Sequence, residues 1–214
     1  MKVLITGAAG GIGLACARKF AECGHDVTGL DIKPAGFEAD NYRHIICDIT
    51  KELPEIKDVE ILVNDAGVQD DGREIDVNLK GTIAVTEKYA IQPSIHSVVF
   101  IASSSATTGA EFPEYAASKG GILAYMRNTA LRIAKYGATS NSISPGGVIT
   151  DLNRHILDSP DLYEKVLNEA LLHKWAEPEE IAEFVYFVSV VNKSMTGEDI
   201  FIDNGEMIKS NFIW

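Results

Sequence analysis

A doubly wound α/β fold, with a mainly parallel seven-stranded sheet and helices on both faces, is what the hydrophobic rhythm of the chain predicts. Short apolar runs alternate with amphipathic stretches from end to end, and glycines mark the junctions, as expected of buried parallel strands joined by crossover helices. A cluster of glycines stands where the first strand would hand over to the first helix. The 214 residues, 46% of them hydrophobic, supply one sizeable core and too little chain for two ordinary domains. Residues 1–214 are therefore expected to form a single domain.

The elements follow in order. Lys2 to Thr6 reads as a buried strand, and the apolar periodicity of Ile12 to Cys23, closed by Gly24, reads as a helix. Asp26 to Asp31, His44 to Cys47 and Ile61 to Asn64 are predicted as the second, third and fourth strands, with thin helix signals between the third and fourth. Asp76 to Ile91 reads as a helix stopped before Pro93, Ser97 to Ala102 as a fifth strand, and Tyr115 to Tyr136 as a long helix ended by Gly137. Thr139 to Ser144 is the sixth strand. Thr150 to Leu172 looks helical but irregular, Pro178 opens a helix through Val190, and Glu198 to Ile202 is the seventh strand.

Composition narrows the classes of function. A formal net charge of -12, with no stretch of clustered Lys and Arg, argues against a nucleic-acid partner. Cys16, Cys23 and Cys47 are odd in number and lack metal-ligand spacing, so neither a disulfide framework nor a metal site is expected and a reducing, cytoplasmic setting fits best. No run is long and apolar enough to suggest a membrane span or a secretory leader.

The first junction, Thr6-Gly7-Ala8-Ala9-Gly10-Gly11-Ile12-Gly13, places glycines before a helix N-terminus. Unpaired N–H groups and a partial positive charge there suit a pyrophosphate, and glycine lets it approach the backbone. Asp31 closes the second strand, where its carboxylate can accept from ribose hydroxyls and would repel a 2′-phosphate, favouring NAD over NADP. Tyr115 and Lys119 lie four apart on one helix face, so the ammonium can stabilise the phenolate and make the pair an acid/base catalyst. Ser103 ends the fifth strand at the sheet edge where ligands bind, although Ser104 and Ser105 stand beside it and Ser104 is an alternative. Asn78 is a polar residue in a helix that packs on the sheet, where a buried amide needs partners.

These residues resemble the short-chain dehydrogenase/reductase family through nearly the whole chain. Thr6 to Gly13 is similar to its TGxxxGxG motif, Asn64-Asp65-Ala66-Gly67 to NNAG with one substitution, Tyr115 to Lys119 to YxxSK, and Pro145 to Thr150 to PGxxxT. Asp48 matches the family's adenine-binding Asp, and Ser194 to Gly197 and Asp203-Asn204-Gly205 resemble its C-terminal strand region. The resemblance implies a Rossmann fold and NAD bound by Gly7, Gly11, Ile12, Gly13, Asp31, Asp48, Asn64, Ala66, Gly67, Tyr115, Lys119, Pro145, Val148 and Thr150. It implies a catalytic tetrad of Asn78, Ser103, Tyr115 and Lys119, with Asn78 holding a water of the proton relay, and needs no metal. The substrate would be a small alcohol, sugar, hydroxy acid or 3-oxoacyl thioester, and the protein a homodimer or homotetramer packed through the helices Asp76 to Ile91 and Tyr115 to Tyr136. The alternative is a catalytically silent NAD-sensing regulator or scaffold on the same fold. The chain departs from the family in its short spacing from Asp48 to Asn64 and from Gly67 to Asn78, in Asp65, and in His173-Lys174-Trp175 before the last long helix.

Overall fold

The computed structural model describes residues 1–110 and 112–209. Its seven strands are β1 (Lys2–Thr6), β2 (Asp26–Asp31), β3 (Tyr42–Ile46), β4 (Ile61–Asn64), β5 (Ser97–Ile101), β6 (Thr139–Pro145) and β7 (Asp199–Ile202). They form one sheet in the order β3-β2-β1-β4-β5-β6-β7. Every pairing is parallel, where the sequence suggested only a mainly parallel sheet. The winding reverses where β1 sits between β2 and β4, which opens a crevice beyond the C-terminal ends of β1 and β4.

Alternate residues of each central strand serve opposite cores, because side chains on a strand point to opposite faces in turn. Val3, Ile5, Ile61, Val63, Val99 and Ile101 face one layer, packed by α1 (Gly11–Glu22) and α7 (Pro178–Tyr186). Leu4, Leu62, Val98 and Phe100 face the other, packed by α2 (Thr82–Tyr89) and α4 (Pro113–Ile133). Removing each such side chain from water contributes about 2 kcal/mol. β6 is polar yet wholly buried, and its side chains are satisfied: Ser142 and Ser144 donate to the Asp199 carboxylate at 2.6 and 2.8 Å, and Asn141 to the Met195 carbonyl at 2.9 Å.

The helices depart from expectation in four places, one of them the last long helix, expected through Val190, which leaves α geometry after Tyr186 and closes as a π-helical stretch, Phe187–Val191. The helix expected over Asp76 to Ile91 opens as a π-helical stretch, Ile75–Gly81, before continuing as α2. The irregular region after Thr150 breaks into a 3-10 turn at Asp151–Asn153, α5 (Arg154–Leu157) and α6 (Pro160–Leu167), with Pro160 starting the last of these. A short α3 (Ser105–Thr108), ended by Gly109 in the left-handed region, precedes α4. The crossovers from β2 to β3 (32–41) and from β3 to β4 (47–60) contain no helix. The second still covers the core, through buried Leu53 and Val59 and through the Pro54 carbonyl, which accepts from Tyr89 Oη at 2.6 Å. Among the described residues no helix is long and apolar enough to cross a membrane.

Candidate active site

A cleft of about 780 Å³ lies over the crevice at the strand ends. Its floor is the β1–α1 turn. Gly7 and Gly11 adopt φ of +74° and +50°, values that favour glycine. A Cβ on Gly13 would collide with the Gly7 carbonyl oxygen, so Gly13 lets α1 seat tightly under the turn rather than lining the cleft. No side chain caps α1 at Gly10 and no acidic residue occupies its first turn, so the turn forms a cradle for an anionic group. Thr150 reaches across from the far wall, its Cγ2 at 3.3 Å from the position a Cβ on Gly11 would take.

One side wall comes from β2 and from the coil after β3. Asp31 accepts from Ala9 N–H at 3.0 Å and from Lys33 N–H at 2.9 Å, which fixes its carboxylate at the rim beside the turn. Asp48 accepts from the N–H and hydroxyl of Thr50 at 2.9 and 2.7 Å, and those bonds hold its carboxyl below the usual carboxylate range. Both line the cleft, as do the half-buried Ala66 and the exposed Gly67 after β4. Thr6 Oγ1 accepts the N–H groups of Asp65 and Ala66 at 3.1 Å each, tying the end of β4 to the end of β1.

At the centre, α4 presents Tyr115 and Lys119 to the cleft one turn apart. Lys119 is 5% exposed, donates to the Ile101 carbonyl at 2.8 Å and lies 5.6 Å from the Tyr115 ring centre. Burial pulls its ammonium down to about 8, against the opposing pull of Asp65. The Asp65 carboxyl is pushed up to about 7 by burial, opposed by Lys119 and by a hydrogen bond from Gly13 N–H. Its Oδ2 lies 3.0 Å from where a Cβ on Gly7 would sit, so this carboxylate stands between the glycine turn and the lysine.

Asn78, in the π-helical stretch, is fully buried. Its Oδ1 accepts from Val68 N–H at 2.8 Å, and its Nδ2 donates to the Val68 carbonyl at 2.9 Å and to Ser118 Oγ at 3.1 Å. Ser118 Oγ in turn donates to the Tyr115 carbonyl at 2.7 Å. The amide is thus committed to protein groups, and the side chain does not line the cleft. Asn64 is also buried away from it, donating to Thr86 Oγ1 at 3.1 Å, while its Oδ1 has no hydrogen-bond partner among the described residues.

The remaining end of the cleft is walled by β5, the loop after β6 and the C-terminal region. Ser103 and Ser104 both line it. Ser103 Oγ accepts from Ser105 Oγ at 2.9 Å and Ser105 N–H at 3.2 Å, leaving its own proton available, whereas Ser104 Oγ donates to Glu206 at 3.2 Å. Pro145, Val148 and Thr150 line the same wall. The His173-Lys174-Trp175 departure has a structural reason. Ala176 pairs with Val148 in an isolated parallel bridge, and Trp175 lies against Gly147, where a Cβ would collide with the indole. Tyr163 of α6 meets that indole edge-on at 5.6 Å, which fixes the wall.

Of the residues singled out from sequence, the structure gathers Gly7, Gly11, Ile12, Asp31, Asp48, Ala66, Gly67, Ser103, Tyr115, Lys119, Pro145, Val148 and Thr150 around one cleft. Gly13, Asn64 and Asn78 lie behind it. Sequence reasoning missed Asp65 and Glu206 as cleft groups. The departure of Asp65 from NNAG was a usable signal for the first; a lone acidic residue near the C-terminus gave none for the second.

A parallel sheet with a glycine cradle at its switch point and a tyrosine–lysine pair facing that cradle defines a nucleotide-dependent oxidoreductase. A family model described as enoyl-(acyl carrier protein) reductase matches residues 54–206, and the chain belongs to the short-chain dehydrogenase/reductase family. It is similar to a glucose 1-dehydrogenase of Gluconobacter oxydans, 26% identical with 99% of this chain and 93% of that protein covered. A 3-oxoacyl-[acyl-carrier-protein] reductase of Rickettsia bellii is 27% identical, with 96% of each chain covered. Among solved structures, a 4-hydroxyisoleucine dehydrogenase complexed with NADH superposes with a TM-score of 0.87 at 25% identity, covering 98% of this chain and 99% of that one. The protein is an enzyme, an oxidoreductase of this family.

Proposed function

We propose that the protein interconverts a small secondary alcohol and its ketone with NAD(H), and that Tyr115 is the acid/base group. The observation that carries this reading is the placement of Tyr115 and Lys119 in the same cleft as the Gly7–Gly11 cradle, with the ammonium 5.6 Å from the phenol ring. The residues fit a dinucleotide: Gly7, Gly11 and Ile12 for the diphosphate, Asp31 for the ribose diol, Asp48 for adenine, and Val148 and Thr150 for the carboxamide end. Asp31 opposes a 2′-phosphate, which supports NAD over NADP. Held by these residues, NAD would supply the hydride acceptor for the alcohol and NADH the hydride donor for the ketone.

In the oxidation direction the Tyr115 phenolate takes the alcohol proton, and the Lys119 ammonium beside it lowers the pH at which that phenolate forms. Ser103, whose proton is uncommitted, donates to the substrate oxygen, and this supports it over Ser104. Asn78 is a positioning residue: by gripping Val68 and Ser118 it braces α4 at the turn that carries Tyr115. The substrate class is a small alcohol, sugar, hydroxy acid or 3-oxoacyl thioester. We infer a homo-oligomer in a reducing, cytoplasmic setting, a reading supported by an exposed stripe of Ala117, Ala124 and Leu131 on α4 and by the free thiols of Cys16, Cys23 and Cys47.

The test is Tyr115→Phe, assayed by nicotinamide absorbance with NAD and NADP in parallel. Turnover should fall about a hundredfold or more, the contribution typical of general acid–base catalysis. NADH binding, followed by fluorescence, should persist. Turnover at the wild-type rate in this variant would remove Tyr115 from the mechanism.

A further inference from the structure

The end of the cleft opposite the adenine side carries a carboxylate that the reaction just described does not use. Glu206 follows β7 in a 3-10 turn, is half-buried, and lines the cleft together with Ser103, Ser104 and Tyr115. Ser104 Oγ donates to its Oε1 at 3.2 Å, and Gly147 N–H donates to the same carboxylate. Two donors occupy part of the capacity of a group with about four lone-pair sites, so acceptor positions remain. Burial, with the nearby Asp203 and Glu169 carboxylates, raises its pKa, and Glu169 lines the cleft as well.

The basic side chains lining this cleft, among the described residues, are Lys33, Arg73 and Lys119. Arg73 is paired with Asp71 at 2.5 Å, Lys33 follows Asp31 at the ribose rim, and Lys119 is committed to the Ile101 carbonyl. Among the described residues the one further titratable base in the lining is the exposed imidazole of His155. An anion seated at the Glu206 end would meet one desolvated carboxylate and a second lining the same cleft, while the Lys119 ammonium is already shared between Asp65 and Tyr115, an arrangement that disfavours it.

We propose that Glu206 selects the substrate: the cleft takes a neutral polyol in which a hydroxyl beyond the reacting carbinol donates to the Glu206 carboxylate, and it discriminates against hydroxy acids and phosphate-bearing acyl thioesters. Trp175, packed against Gly147, also lines the cleft and adds apolar surface for the C–H groups of such a polyol. This rests on the dehydrogenase reading given above and narrows it to one substrate class.

The experiment compares kcat/KM for a set of neutral tetritols, pentitols and aldoses, for hydroxy acids of matched length, and for a 3-oxoacyl thioester, in wild type and in Glu206→Gln. The amide keeps an oxygen for Ser104 and Gly147, and NADH fluorescence titration confirms that each protein is folded and loaded. Wild type should favour a polyol, and Glu206→Gln should lower polyol kcat/KM about tenfold, as for loss of a hydrogen bond to a charged acceptor, while raising that for hydroxy acids. A wild-type preference for the hydroxy acid or thioester, or a polyol-to-acid ratio unchanged by the substitution, overturns the proposal and leaves the dehydrogenase reading standing. Turnover of none of the three classes by NADH-binding protein defeats both.

Discussion

Burying an ammonium is unfavourable unless an opposite charge stands near, and in this cleft that charge is Asp65. Removing it in Asp65→Asn takes away an interaction that holds the Lys119 proton, so Lys119 loses its charge at lower pH than in wild type. The phenolate of Tyr115 then gains less help, and the acid limb of the pH profile of kcat/KM for alcohol oxidation should move to higher pH. A limb that stays in place would show that Asp65 does not reach the acid/base pair. At this scale the tyrosine and lysine were legible because helical spacing puts positions 115 and 119 on one face and the glycine turn and the other motifs stand in order around them. Asp65 was not, because a carboxylate after β4 comes beneath the turn after β1 only through the pairing of those two strands, which are far apart in the sequence. Asn78 was legible as a buried amide. What it binds depends on the coil at Val68, which no periodicity describes.

Elements that cross at close range tolerate little added volume. Gly13 stands where the first turn of α1 passes the Gly7 carbonyl, and Gly13→Ala would push helix and turn apart. We expect that variant to lose about 1–3 kcal/mol in urea denaturation, as overpacked sites do, and to bind NADH far more weakly. Wild-type affinity would show that the seating of α1 is not what shapes the cradle. The strands were readable almost to the residue because apolar runs bounded by glycine and polar turns mark them. β3 begins at Tyr42, ahead of its apolar core, because Tyr42 and Arg43 pair with β2 through backbone groups that hydropathy does not register. The π-helical opening before α2 was hidden for a similar reason: a change from i+4 to i+5 bonding hardly alters which residues look apolar. Ser159-Pro160 is a visible break in the irregular stretch, but the packing of Tyr163 against Trp175 appears only in three dimensions.

For the molecule as a whole, the composition was enough to set aside nucleic-acid and membrane partners as expectations, while the association of chains is a property of a surface. Leu131, 81% exposed, sits seven and fourteen residues along α4 from Ala124 and Ala117 on the same stripe. Small side chains there permit close approach of a second copy. In the homo-oligomer proposed above, Leu131→Glu should raise the dissociation constant about tenfold or more, read by sedimentation, because it would place a charge in a desolvated contact. An unchanged mass distribution would move the interface elsewhere. The two helix-free crossovers leave a different mark. Both begin or end at the edge strand β3, the second running back to the central β4, and their first residues carry the wall that holds Asp31 and Asp48, whereas Tyr115 and Lys119 stand on the longest helix among the described residues. The acidic wall is thus built on strand ends and coil, its two carboxylates held by donors from Ala9, Lys33 and Thr50, while the tyrosine and lysine take their spacing from a helix.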